Sequence, residues 1–178
     1  MLVVDGALRD YNVLARAIRL ARVPEGLCGL VVTHQSSLPP GAQDALDCAR
    51  RRGYETRAAG QVSARELREL YERSLAVLVP VHESSQPAGL TGLLEALSMG
   101  CPTVATGNWP IREYLGDNGA ALIVPPGDAS ELAAALETIL EDEPMRGRLS
   151  HEAVTRAADF SFRRSVDQCR AALLRLVS

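Results

Sequence analysis

The sequence contains no lysine, because all 19 basic residues among its 178 are arginine. The absence of lysine excludes Schiff-base chemistry and any phosphate-binding loop built around a lysine side chain. A phosphate held by a side-chain cation in this protein must therefore be held by arginine, whose guanidinium can bind it with two parallel hydrogen bonds.

Several other features are absent. No two of the four cysteines, Cys28, Cys48, Cys101 and Cys169, form a Cys-x-x-Cys pair, so we expect buried, reduced thiols rather than a metal site or disulfides. No signal peptide opens the chain and no apolar run is long enough to span a bilayer, which predicts a cytoplasmic domain without a transmembrane segment. Peripheral association of the full-length protein with a membrane stays open. The formal net charge of −3 argues against nucleic acid as a partner.

The composition that is present is that of a globular protein, with 47% hydrophobic and 23% charged residues. We expect residues 1–178 to form a single domain. Strands are predicted over residues 1–4, 27–33, 54–59, 75–81, 102–106 and 121–124. Helices are predicted over residues 10–21, 42–52, 91–99 and 111–115, and directly after Ser63, Asp128 and Ser161. This alternation predicts a doubly wound parallel sheet, a Rossmann-like α/β fold of three layers, α/β/α.

Ligands of such sheets bind beyond the carboxyl ends of the strands, near the point where the strand order reverses. This rule indicates three loops, over residues 5–10, 34–37 and 82–91. The first loop lacks the Gly-x-Gly-x-x-Gly pattern but carries Arg9 at the start of a helix, where the helix dipole favours an anion. A surface arginine without a ligand is the alternative interpretation.

The third loop is polar, contains glycine and leads from the most apolar strand into a helix. Gly89 and Gly92 would let backbone amides approach a diphosphate closely. Glu95 is a lone carboxylate among leucine and alanine residues, and such a group can accept the hydroxyls of a ribose or simply complement the helix dipole. His82 follows the strand and either contacts the same ligand or is merely hydrogen-bonded within the fold.

Two segments carry a family resemblance. Residues 89–106, GLTGLLEALSMGCPTVAT, and residues 121–128, ALIVPPGD, resemble the C-terminal half of glycosyltransferase family 4, the retaining enzymes of GT-B fold. Residues 60–71 resemble the helix before the central strand of these enzymes, and residues 9–11 resemble the opening helix of some members. Glu113 matches a glutamate of the family, so the resemblance covers nearly the whole chain.

The resemblance implies that the ligand is a nucleoside-diphosphate sugar, a substrate rather than a cofactor, and that the sugar is transferred with retention and without a metal. It implies that Glu95 holds the ribose and that Arg9 helps to bind the diphosphate. The backbone amides implied in diphosphate binding belong to Gly89, Leu90, Thr91 and Gly92. The backbone around Gln61 and Val62 would receive the base.

The sequence also departs from the family. Members usually have a first glutamate, separated by seven residues from the second, and this position is Pro87 here. Gln86 or Glu83 could substitute for it if the loop is adjusted by one residue or more. The candidates for the catalytic role are Gln86 and His82, the latter because it follows the central strand and could touch the donor. Members are about twice this length, which implies a missing N-terminal domain and an acceptor that the sequence does not name. A non-catalytic domain of the same fold, acting as a partner or regulatory module, stays the alternative.

Overall fold

The computed structural model describes residues 1–4, 6, 8–22, 29–33, 37–116 and 119–176. The strands are β1 (Leu2–Val3), β2 (Gly29–Thr33), β3 (Glu55–Ala59), β4 (Val77–Val79), β5 (Thr103–Thr106) and β6 (Leu122–Val124). The helices are α1 (Tyr11–Leu20), α2 (Ala42–Arg51), α3 (Ala64–Glu72), α4 (Leu90–Ser98), α5 (Trp109–Leu115), α6 (Ala129–Glu141), α7 (Glu143–Ala158) and α8 (Phe162–Leu176).

The six strands form one sheet in the order β3-β2-β1-β4-β5-β6, and every neighbouring pair is parallel. The chain moves outward from β1 to β3 and then crosses back to β4 on the other side of β1. The strand order therefore reverses between β1 and β4, where the loops that follow these two strands diverge. This arrangement confirms the predicted doubly wound, Rossmann-like fold.

Each face of the sheet is covered by helices. Helices α1, α2 and α6 pack on one face, where the strand residues Leu30, Leu78 and Val104 are fully or almost fully buried. Helices α3, α4 and α5 pack on the other face against Val77 and Val79. The strands read as apolar runs because both of their faces are buried, which is the pattern typical of parallel sheets.

The predicted helix ends are confirmed where a specific residue marks them. Helix α3 begins directly after Ser63, as predicted, and Ser63 and Glu66 form a capping box there. Asp128 accepts hydrogen bonds from two backbone N–H groups at the start of α6. Gly53 and Gly100 follow the last turns of α2 and α4 with φ of 82° and 64°, the left-handed conformation that ends a helix.

Other boundaries differ from the sequence pattern. Strand β4 ends at Val79, before the predicted end at residue 81, because Pro80 has no N–H group to continue the sheet. Helix α7 had no predicted bounds. The prediction that the cysteines are buried holds for Cys48 and Cys101 but is wrong for Cys169, which is exposed on α8. Cys28 lies outside the described residues.

Helix α8 is the least covered element of the structure. Its apolar side chains include Phe162, which is 85% exposed, and Leu173, which is 65% exposed. In the described part of the chain, no helix combines the length and the apolar character that crossing a membrane requires.

Candidate functional site

Two loops meet where the strand order reverses, one after β1 and one after β4. The N–H of Asp10 donates a 2.9 Å hydrogen bond to the carbonyl of Pro80, and the N–H of His82 donates one of 3.0 Å to the carbonyl of Leu8. These bonds form a short antiparallel bridge that holds the first predicted loop beside the third. The intervening residue, Arg9, is thereby brought to the start of α4.

The guanidinium of Arg9 lies over the first turn of α4. Its Nε donates a 2.9 Å hydrogen bond to the carbonyl of Val4, and the residue is only 8% exposed. A Cβ atom on Gly89 would stand 3.2 Å from Nη1, and one on Gly92 would stand 2.9 Å from Nη2. The two glycines therefore leave room for the arginine, and a positive charge lies at the end of the helix where free amides already favour an anion.

Glu95 lies one turn after Gly92 and hence on the same side of α4. It is half-buried, and its Oε2 accepts a 2.9 Å hydrogen bond from the hydroxyl of Tyr71 at the end of α3. Burial raises the pKa of Tyr71 well above its usual value, and the charge and hydrogen bond of Glu95 act in the same direction, against a smaller opposing effect of Arg9. Tyr71 therefore keeps its proton and acts as the donor.

His82 makes a contact that orients its ring. Its Nδ1 is 3.3 Å from Oδ2 of Asp10, while Oδ1 of Asp10 accepts a 2.9 Å hydrogen bond from the N–H of Val13 and caps α1. The His82 side chain is 53% exposed and Asp10 is buried. One aspartate thus fixes both the start of α1 and the histidine at the rim of the candidate site.

The remaining predicted residues of the third loop are more open. Gln86 is exposed, and its backbone N–H is bonded to Oγ of Ser84. Leu90 is 8% exposed and belongs to the buried cluster beneath α4, so that only its backbone can face a ligand. Thr91 is exposed, as is Glu83.

Gln61 and Val62 follow β3 and precede the capping box of α3. Gln61 is exposed and Val62 is half-buried. They lie at the same carboxyl edge of the sheet as Arg9 and Gly89, although β3 is the outermost strand. Five residues of the predicted loops lie outside the described residues: Asp5, Ala7, His34, Gln35 and Ser36.

Two residues of the site were not found by sequence reasoning. Tyr71 stands 24 positions before Glu95, and Asp10 stands far from His82, so no local spacing links either pair. The only available signal for Asp10 was its position at the start of a helix, which predicts a cap rather than a histidine partner. Tyr71 lies in a helical pattern, where an aromatic residue indicates core packing.

Comparison with known proteins agrees with the family resemblance over most of the chain. The profile of the family described as "Glycosyl transferases group 1" matches residues 49–156, more than half of the sequence. A D-inositol 3-phosphate glycosyltransferase of Corynebacterium aurimucosum is 31% identical over 164 residues, which cover 89% of this chain and 38% of the relative. One of Frankia alni is 36% identical over 97 residues, covering 54% of this chain and 23% of the relative. The chain thus spans less than two fifths of the length of these curated relatives.

Solved structures share the fold at low sequence identity. A glycosyltransferase from Rickettsia africae superimposes with a TM-score of 0.79 at 14% identity, covering 99% of this chain and 48% of that one. Anabaena HepE, in complex with UDP and glucose, gives a TM-score of 0.72 at 19% identity, with 98% and 48% covered. The catalytic domain of cholesterol-α-glucosyltransferase from Helicobacter pylori gives a TM-score of 0.70 at 19% identity, covering 90% of this chain and 99% of that one.

The matched residues include β4, α4 and Glu95, and the fold is that of one half of the larger neighbours. The chain belongs to the glycosyl transferases group 1 family, in which it is a C-terminal domain of GT-B fold.

Proposed function

We propose that this domain binds a nucleoside-diphosphate sugar as the donor half of a retaining, metal-independent glycosyltransferase. Glu95 accepts the hydroxyls of the ribose. The diphosphate lies against Arg9 and the backbone amides at the start of α4, from Gly89 to Gly92. The base lies near the backbone of Gln61 and Val62.

One observation carries the proposal: Arg9 is fixed over the first turn of α4, one turn before Glu95. The guanidinium is held by the carbonyl of Val4 and fits against two glycines, so it has few alternative positions. A cation, free amides and the positive end of a helix dipole then act on one small region of the surface, a combination suited to a diphosphate. The carboxylate one turn further along the helix suits a pentose hydroxyl pair.

The chemical role of these groups is electrostatic. Breaking the bond between sugar and diphosphate leaves negative charge on the leaving phosphate, and donors that are already in place stabilise it without rearranging. Gln86 and His82 are the side chains of the third loop that we place nearest to the transferred sugar. Retention, metal independence and the need for an N-terminal domain that binds the acceptor come from the family resemblance.

Isothermal titration with UDP-, GDP- and ADP-sugars tests the donor site. We expect at least one of them to bind, and Glu95→Ala to weaken that binding at least tenfold, because hydrogen bonds to a charged group contribute about 1.5–3 kcal/mol. Glu72→Ala is the matched control, since this exposed carboxylate on α3 pairs only with Arg68 in the described contacts. Equal binding by the wild-type protein and Glu95→Ala would contradict the proposed role of Glu95.

A second candidate function is favoured by Pro87. This proline occupies the position of the first family glutamate, and the neighbouring Gln86 has no charge to offer. A domain that has lost this carboxylate could serve as a non-catalytic partner or regulatory module of the same fold. The absence of binding across the whole panel of sugar nucleotides would leave this second function.

A further inference from the structure

Tyr71 lies at the junction between the core and the candidate site. It is 2% exposed and belongs to the same buried cluster as Leu93 and Leu97 of α4. Its hydroxyl donates a 2.9 Å hydrogen bond to Oε2 of Glu95. An apolar ring alone would fill this volume, so the hydroxyl at its end calls for a separate explanation.

The backbone of Tyr71 is also fixed. The thiol of Cys101 donates a hydrogen bond to the Tyr71 carbonyl over 3.3 Å, and burial raises the pKa of Cys101 to about 11, so the thiol keeps its proton. The residue is thus held at its backbone by the turn after α4 and at its hydroxyl by Glu95. A side chain held at both ends defines the position of the atom to which it donates.

We propose that Tyr71 is a positioning residue for Glu95, whose buried hydroxyl holds Oε2 so that the rest of the carboxylate faces both hydroxyls of a ribose. This inference rests on the proposed function. A carboxylate has about four acceptor positions, and occupying one of them from the core side leaves the others for the ligand. The consequence is chemical selection: the site prefers a ribonucleotide to its 2′-deoxy counterpart, and the preference depends on Tyr71.

The test is a comparison of ribose and deoxyribose binding in two tyrosine variants. Whichever of UDP, GDP and ADP binds the wild-type protein most tightly is titrated beside its 2′-deoxy form. We expect the wild-type protein to prefer the ribonucleotide about tenfold, and Tyr71→Phe to reduce this preference to about threefold or less. Tyr54→Phe removes the hydroxyl of another buried tyrosine, packed on the opposite face of the sheet, and should keep the full preference.

The outcomes separate this inference from the function on which it rests. If none of the three nucleotides binds the wild-type protein, the proposed function fails and the inference falls with it. If the wild-type protein prefers the ribonucleotide and Tyr71→Phe keeps that preference in full, the donor site stands and the positioning role is overturned. A merely structural role for Tyr71 would weaken both nucleotides equally, which also overturns the inference.

The phenylalanine variant keeps the ring that makes the core contacts, and a thermal melt verifies that it folds. If Tyr71→Phe does not fold, 3-fluorotyrosine is incorporated at position 71 instead. This residue keeps the hydroxyl donor, and its phenol is more acidic than that of tyrosine. A stronger hydrogen bond to Glu95 should then change the ribose preference at least twofold. An unchanged preference would overturn the inference.

Discussion

The position of the Arg9 guanidinium depends on the absence of a side chain at Gly92. A Cβ at position 92 would stand 2.9 Å from Nη2, closer than such contacts normally are, so any side chain there must displace the arginine. The glycine otherwise costs the helix stability, by about 1 kcal/mol relative to alanine. Retaining it in the first turn of α4 is therefore consistent with a requirement for the cation rather than for the helix.

Gly92→Ala should weaken nucleotide binding about tenfold, because the displaced guanidinium loses one charge-assisted hydrogen bond to the diphosphate. Gly147→Ala is the control, since a Cβ at that position on α7 meets nothing within 4 Å. It should raise the free energy of unfolding by about 0.5–1 kcal/mol and leave binding unchanged. Titration and urea unfolding measure the two effects. Wild-type affinity in Gly92→Ala would show that Arg9 does not contact the ligand.

The residues found from sequence share a property that explains why the others were missed. Arg9, Gly92 and Glu95 each stand out in a local pattern, as a helix-start cation, a glycine in a helical stretch and a charge among leucines. Tyr71 and Asp10 act through partners that only folding brings near, so no local pattern linked either residue to its partner. Contacts between distant segments are set by topology, which a local pattern does not contain.

At the scale of a secondary-structure element, the start of α3 is fixed by a short local pattern. Ser63 accepts a hydrogen bond from the N–H of Glu66, whose carboxylate in turn accepts bonds from Ser63, so the residue before the helix is tied to its first turn. Such a box was predictable because both partners lie within four residues. It fixes the path of Gln61 and Val62 immediately before it, where we place the base.

Ser63→Ala should lower the free energy of unfolding by about 1 kcal/mol, because the variant leaves the backbone N–H of Glu66 at the start of α3 without its side-chain acceptor. Ser130→Ala provides the comparison, since the serine is exposed in the first turn of α6 and only its backbone N–H is bonded to Asp128. It should change stability by less than about 0.5 kcal/mol. Urea unfolding checks both values, and equal effects would argue against the capping role.

At the scale of the whole molecule, the alternation of strands and helices was enough to predict a parallel sheet with helices on both faces. The order of the strands was not predictable in the same way, because it depends on which side of β1 the chain chooses when it crosses to β4. That choice creates the reversal at which Arg9 and α4 meet. Local sequence patterns thus predicted which residues belong to the site, whereas the topology of the sheet determines how they come together.

The extent of the chain leads to a prediction about activity. The chain covers 48% of the neighbours from Rickettsia africae and Anabaena, and we propose that the acceptor site lies in a further domain. We expect this chain alone to bind a sugar nucleotide without transferring the sugar to an added acceptor. A radiolabelled donor assay with the purified chain measures this, and sustained turnover would contradict the proposal that transfer also requires the acceptor-binding domain.

The most direct measurement is a crystal structure of this chain with the sugar nucleotide that binds it most tightly. We predict both ribose hydroxyls at about 2.5–3.2 Å from the Glu95 carboxylate, with the diphosphate on Arg9 and the amides from Gly89 to Gly92. A nucleotide bound elsewhere, or a ribose that leaves Glu95 bonded only to Tyr71, would contradict it.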